Sequence, residues 1–224
     1  MKYDLLTIFP DIFDSYLSKG MMRVAQEKKI INVKTHNLRD FAIDKHGTVD
    51  EKTYGGGPGQ VLCVEPVYKA LKTIRRAKKS KIVLLSAKGQ TWNQQLAQKF
   101  AKLDQLIFIC PRYEGHDERI RKFADEEIAI GNYILTGGEL GALVIMDSVT
   151  RLLPGVLGKQ ASLDEESHSV PGYLEYPQYA KPEIFEYRDK KGAKKKLKVP
   201  SVLLSGHHQN IKDWRKKNAQ TKAL

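Results

Sequence analysis

The chain has 224 residues and a formal net charge of +12, from 38 Lys and Arg against 26 Asp and Glu. With 41% hydrophobic residues it can bury a core, which excludes a disordered chain, and the length allows one or two domains. No apolar run reaches the ~20 residues of a membrane span, Asp4 interrupts the start where a signal peptide is apolar, and two cysteines cannot staple a secreted mini-domain, so a cytoplasmic protein is expected.

Strand-like and helix-like stretches alternate through the first half. Tyr3–Phe9 and Ile31–His36 read as strands. Lys81–Ser86 and Leu106–Cys110 are short and apolar without alternation, as strands covered on both faces should be, and Glu127–Ile130 reads as a further strand. Helical patterns occupy Pro66–Lys79, Trp92–Leu103, His116–Ala124 and Glu139–Leu153. This alternation predicts an α/β fold with a parallel sheet and helices on both faces. After Pro154-Gly155 the composition turns to Gly, Ser, Asp and Glu without period, so residues 155–175 read as loop. The expected organisation is a first domain over 1–158, a mobile linker over 159–174 and a basic unit over 175–224.

The charge is concentrated at the C-terminal end. From Arg188 to Leu224 there are twelve Lys and Arg against Asp189 and Asp213, a net +10; the first 187 residues carry only +2. That asymmetry points to a phosphate-rich partner, most simply nucleic acid. Val199–Leu204 and Trp214 interrupt the basic runs with core-forming residues, which favours a folded module over a solvated tail.

In open α/β sheets ligands bind beyond the carboxyl ends of the strands. Three predicted strands end in unusual turns there: Ser86–Gly89, Pro111–Gly115 and Gly131–Gly138. Their glycines permit positive φ and close approach of a ligand to backbone. Neither a dinucleotide fingerprint nor a phosphate-binding G-x-x-x-x-G-K-S/T is present, so a phosphate-rich cofactor is disfavoured. Tyr54–Gly59 (YGGGPG) follows a charged stretch and reads as a surface loop. The six histidines show no zinc spacing, and Cys63 and Cys110, 47 positions apart in apolar surroundings, read as packing residues. Asp147 and Arg151, four apart on a helix, are either a surface ion pair or a site in which Arg151 faces a substrate covered by the linker.

Long ordered matches now accumulate: Leu6–Pro10, Asn37–Phe41, Asp44–His46, Tyr54–Gly59, Arg112–Gly115 with Asp117–Arg119, Ile130–Leu140, Arg151 with Pro154–Gly158, Glu175–Tyr179, and Val199–Gly206. In these the sequence resembles the bacterial tRNA (guanine-N1)-methyltransferases of the trefoil-knotted SPOUT class, which methylate the guanosine 3′ of the anticodon. The resemblance implies a trefoil-knotted parallel-sheet methyltransferase domain followed by a small helical C-terminal domain, working as a homodimer on the anticodon stem-loop of tRNA. It implies S-adenosyl-L-methionine as methyl donor, bound by Pro111, Tyr113, Glu114, Ile130, Gly131, Asn132, Tyr133, Ile134, Leu135, Gly137 and Gly138, and a magnesium requirement.

Two positions depart from the family's pattern. Pro111 stands where glycine usually precedes Arg-Tyr-Glu-Gly, removing a backbone N–H. The linker aspartate that acts as general base falls at Val170 or Pro171, depending on the end from which it is counted, and neither takes a proton. His168 is the nearest group able to do so at neutral pH, with Glu166 second. Arg151 is expected to stabilise negative charge on the guanine O6, since its guanidinium is always charged. The missing aspartate also leaves two rival readings: a non-catalytic knotted RNA-binding protein, and a related methyltransferase acting on another nucleotide.

Overall fold

The structure, a computed structural model, describes residues 1–157 and 166–221. The chain divides into two compact units, Met1–Gly158 and Lys159–Leu224.

The first unit is built on a five-stranded sheet. Its strands are β1 (Lys2–Thr7), β2 (Asn32–Asn37), β3 (Ser80–Thr91), β4 (Gln105–Ile109) and β5 (Glu126–Ala129), with helices α1 (Gly20–Glu27), α2 (Val64–Thr73), α3 (Gln94–Phe100) and α4 (Glu139–Thr150). The order is β2-β1-β4-β3-β5 and every pairing is parallel. All five expected strands are present, with ends shifted by a few residues.

Successive side chains of a strand point to opposite faces, and the core divides accordingly. Tyr3, Leu5, Val83, Leu85, Leu106 and Phe108 enter one apolar cluster with residues of α1, α3 and α4. Leu6, Ile82, Leu84, Ile107 and Ile109 enter the other, with Val67 and Ala70 of α2. Both faces are covered, which is why the central strands are apolar without alternation. A polar network crosses the sheet: the Asp4 carboxylate contacts His36 Nε2 at 2.8 Å and accepts from Gln105 Nε2 at 2.8 Å. Burial alone would raise the Asp4 pKa, but these hydrogen bonds and the charges of His36 and Lys34 hold it below the usual carboxylate value.

Several elements differ from the sequence reading. The segment expected as a helix over His116–Ala124 is a 3-10 helix, Glu118–Phe123, opened by Asp117 accepting from the Arg119 N–H. That early bond closes a tight turn instead of an α-helical cap. β3 continues to Thr91: it pairs with β5 up to Leu85, leaves the ladder, and rejoins at Gln90. The intervening residues 86–89 are thus a protruding turn within one strand.

The second unit is mixed, which corrects the expectation of a small helical domain. A hairpin of β6 (Ile184–Arg188) and β7 (Lys194–Lys198) precedes a single helical turn at Ser201–Leu204 and α5 (His208–Asn218). His207, expected in a polar loop with His208, caps α5 by accepting from the Asn210 N–H. Trp214 of α5 packs edge-on against Tyr176 and Tyr179, and Arg215 lies over the Tyr176 ring. The predicted linker, 159–174, lies outside the described residues as far as 165. Its end, Tyr173–Leu174, is a short strand paired with Gln220–Thr221.

Candidate functional site

The three turns beyond β3, β4 and β5 open onto one cavity of about 280 Å³, near the lower end of the ~300–1,000 Å³ typical of small-molecule sites. Ten of the eleven residues expected to bind cofactor line it: Pro111, Tyr113, Glu114, Ile130, Gly131, Tyr133, Ile134, Leu135, Gly137 and Gly138. Asn132 does not. Leu85, Ile128 and Gly141 add apolar wall, and Ser86–Lys88 close one side.

Close backbone approach shapes this cavity more than positive φ does. The Gly138 N–H donates to the Pro111 carbonyl at 2.9 Å, and a Cβ on Gly138 would lie 2.8 Å from Cys110 Cα. Glycine is required there because the turn after β5 lies directly on the turn after β4. A Cβ on Gly137 would strike the side chains of Arg112 and Glu139. The proline at 111, which lacks a donor, is used through its acceptor.

Arg112 and Glu139 form a network that sequence reading missed. Glu139, the first residue of α4, is buried. Its carboxylate accepts from Thr7 Oγ1 at 2.8 Å and from Arg112 Nε at 2.9 Å. The Arg112 guanidinium also lies over the Phe9 ring, 4.9 Å from its centroid. The end of β1, the turn after β4 and the start of α4 are thereby fastened together, and the carboxylate sits at the positive end of the helix dipole. The pair is separated by 27 positions, so no local pattern reports it; an acid directly after Thr-Gly-Gly at a helix start is the one available signal.

Tyr113 has φ of 63°, a left-handed conformation that is uncommon outside glycine and concentrates at functional sites. Burial and a hydrogen bond to Asp50 push its hydroxyl pKa up. His116, also in the lining, has its pKa lowered, chiefly by burial; it is therefore neutral at pH 7. Glu114 and Glu118 line the same cavity, while the Arg112 charge is answered by Glu139. The balance favours a ligand carrying positive charge near the acids, with apolar surface against Leu85, Ile128 and Ile134.

The Tyr54–Gly59 loop serves this region too. Beyond it, Glu114 N–H donates to Gln60 O at 3.0 Å, and a Cβ on Gly59 would strike the Glu114 side chain. Burial raises the pKa of both cysteines, Cys110 strongly, consistent with packing roles.

The expected catalytic residues lie elsewhere. Arg151 is half-buried at the C-terminus of α4, where its N–H donates to Asp147 O at 3.1 Å, and it does not line the cavity. The Asp147 carboxylate accepts from the Tyr16 hydroxyl at 2.7 Å; burial and this bond push Tyr16 up to about 12. His168 belongs to the second unit. It has φ of 67°, and its N–H donates to Tyr173 O at 2.7 Å in a turn also held by Ser169 N–H on Glu166 O. Val170 is exposed, and Asp164 and Glu165 lie outside the described residues. Among the described residues no group of three His, Cys, Asp or Glu could hold a metal ion, and no helix is long and apolar enough to cross a membrane.

Comparison with known proteins adds an independent finding. A family model described as tRNA (Guanine-1)-methyltransferase TrmD matches residues 1–224. A tRNA (guanine-N(1)-)-methyltransferase of Dictyoglomus turgidum is 46% identical over 224 residues, covering 100% of this chain and 87% of the relative. Proteins of that name from Desulfitobacterium hafniense (47% over 220 residues; 98% of this chain, 80% of the relative) and Brevibacillus brevis (46% over 226 residues; 100% and 89%) are similar to it as well.

Proposed function

The chain belongs to the tRNA (guanine-N1)-methyltransferase family and is a tRNA methyltransferase, and we propose that it methylates N1 of the guanosine 3′ of the anticodon, using S-adenosyl-L-methionine held in the cavity formed by the three strand-end turns. The observation that carries this reading is the convergence of those turns on one cavity with acids on its rim. The residues present fit the cofactor: glycines whose Cβ atoms would close the cradle, apolar wall for the adenine, and Glu114 for the cationic end.

Bound S-adenosyl-L-methionine supplies a methyl group made electrophilic by its sulfonium, so the protein need provide no nucleophile of its own. What the chain must provide is placement of guanine N1 at ~3–3.5 Å from that methyl, removal of the N1 proton, and a cation near O6. Arg151 fits the last task. The base comes from the 166–168 turn, His168 first and Glu166 second, and their pH profiles separate them: a carboxylate base gives a rate already flat at neutral pH, whereas an imidazole gives one still rising.

A trefoil knot is supported by the contact of the 131–138 turn on Cys110 and Pro111. A homodimer is supported by α4, which is apolar all round: Ala142, Ile145, Met146 and Val149 are buried while Leu140 and Val144 are exposed, beside exposed Ile134. The second unit carries the positive charge that suits tRNA, and a tRNA substrate places the enzyme in the cytoplasm.

The test is incubation with labelled S-adenosyl-L-methionine and unmodified tRNA transcript, with and without a magnesium chelator, followed by mapping of the methylated base. The expected product is N1-methylguanosine 3′ of the anticodon; label at any other position, or none, refutes the assignment.

A further inference from the structure

The β6–β7 hairpin has an asymmetry that its sequence, read as a run of charge, conceals. Residues opposite one another in an antiparallel ladder share a face. Lys195 pairs with Tyr187 and Leu197 with Phe185, so these four side chains lie on one face. Arg188, Lys194, Lys196 and Lys198 lie on the other, with Ile184 and Glu186. The aromatic face is open: Phe185, Tyr187 and Leu197 are 55%, 40% and 58% exposed. Its two rings are stacked on each other, with centroids 6.1 Å apart and planes within 9°. On the basic face only Lys196 has an acidic partner among the described residues, Glu186. Over residues 184–198 seven Lys and Arg face two acids.

We propose that this hairpin is a two-sided contact for the tRNA substrate, the lysine face lying along phosphates and the Phe185–Tyr187 face stacking an unpaired base. Lysines on a two-stranded ribbon could serve only to block edge-to-edge aggregation. That role accounts for the charge but not for two stacked aromatic rings left in water on the opposite face. Large apolar side chains displayed in parallel beside a dense positive charge are what single-stranded nucleic acid recognition uses: every base has a flat face to stack, and the backbone needs cations. The charge argues against a protein surface as occupant, since +5 over fifteen residues would have to be matched there by acids.

The hairpin is also built to hold its shape. The Asp189 carboxylate accepts from the N–H groups of Lys191 and Ala193 at 2.9 and 3.0 Å, Asp189 N–H donates to Ala193 O at 2.9 Å, and Arg188 Nη1 donates to Gly192 O at 3.0 Å. Gly192 supplies the left-handed residue of the turn, with φ of 80°. A ribbon fixed in this way presents its rings without the ordering cost of a flexible tail.

The inference rests on the reading that tRNA is the substrate, and the experiment separates the two. Binding of unmodified tRNA transcript to the full chain is measured by anisotropy across a salt series, alongside methylation of the same transcript by the unaltered chain. Lys194→Gln with Lys198→Gln is expected to lower the slope of log affinity against log salt by about two, roughly one per phosphate contact. Phe185→Ala with Tyr187→Ala is expected to weaken binding by about 5- to 100-fold with the slope unchanged. Phe185→Tyr with Tyr187→Phe, which keeps both rings, should restore affinity and so exclude loss of the hairpin fold as the cause. Parental affinity and slope in the lysine variant overturn the phosphate face; parental affinity in the alanine variant overturns the stacking face. If the unaltered chain does not methylate the transcript, the functional reading itself fails; if it does and the variants bind like the parent, the hairpin proposal alone fails.

Discussion

Replacing Glu139 by leucine leaves the Arg112 guanidinium and the Thr7 hydroxyl without their shared acceptor. The carboxylate side chain is only 1% exposed, so no water substitutes for it, whereas the Arg112 side chain is 21% exposed and recovers part of its solvation. Breaking a buried ion pair from one side costs about 3–5 kcal/mol; the partial exposure of Arg112 places this case near 3. With a urea dependence of ~2 kcal/mol per molar, the unfolding midpoint falls by about 1.5 M. Glu139→Gln keeps the shape: its carbonyl can face Arg112 while its amide donates to Thr7 Oγ1. Only the charge is lost, and the expected cost is about 1 kcal/mol. Replacing both partners, with Arg112→Met and Glu139→Leu, should recover much of the loss because no charge is stranded. The assay is urea unfolding of the full chain in a Trp214→Phe background, where Trp92 alone reports the first unit. A leucine variant within about 0.5 kcal/mol of its parent, or a double variant no better than Glu139→Leu, would show that the pair does not fasten the turns.

Gly137→Val pushes a side chain into Arg112 and Glu139, and S-adenosyl-L-methionine affinity by calorimetry should fall at least about tenfold; unchanged affinity would move the cofactor elsewhere. His168→Ala or Glu166→Gln, whichever removes the base, should slow single-turnover methylation by about 10²–10⁴ with tRNA affinity retained; full rates in both would send the proton to another acceptor. His116 has a folded pKa below its unfolded 6.5, so the stability it contributes is complete above pH 6.5 and is lost as pH falls from there through the folded value. His116→Gln should flatten that part of the urea-midpoint profile, and an unaltered profile would assign the slope to other groups. Val144→Glu puts a charge on the exposed apolar face of α4 and should shift the sedimentation mass from dimer to monomer; an unchanged mass refutes α4 as the interface.

The strands were readable because burial on both faces imposes a one-dimensional signature, a short apolar run without alternation. The turns were readable because each interrupts such a run with Gly, Pro or charge. What stayed hidden depends on pairings between distant residues. The return of β3 to the ladder at Gln90 follows from its register with Ile128, and polar Gln90 and Thr91 announce no strand. α1 escaped because it opens at Gly20 with the N-cap side chain of Lys19 making no bond, so no start signal marks it. The β6–β7 hairpin was legible in principle: Ile-Phe-Glu-Tyr-Arg alternates and Asp-Lys-Lys-Gly is a turn, but the lysine run obscured a period of two. In the site, glycines and neighbours of glycines were found, while Arg112 and Glu139 were not, since charged residues at strand and helix ends are ordinarily exposed.

The place of β1 between β2 and β4 has a consequence during synthesis. The nascent chain can pair β1 with β2 soon after residue 37 emerges, but the other edge of β1 waits for Gln105–Ile109. About 70 residues separate these events, roughly 3–14 s at ~5–20 residues per second. Through that interval Tyr3, Leu5 and Leu6, all fully buried at the end, flank an unpaired edge that can template another polypeptide. Ribosome-associated chaperoning should therefore matter most while residues 38–105 are being added, and crowded overexpression should divert the protein into inclusion bodies at that stage.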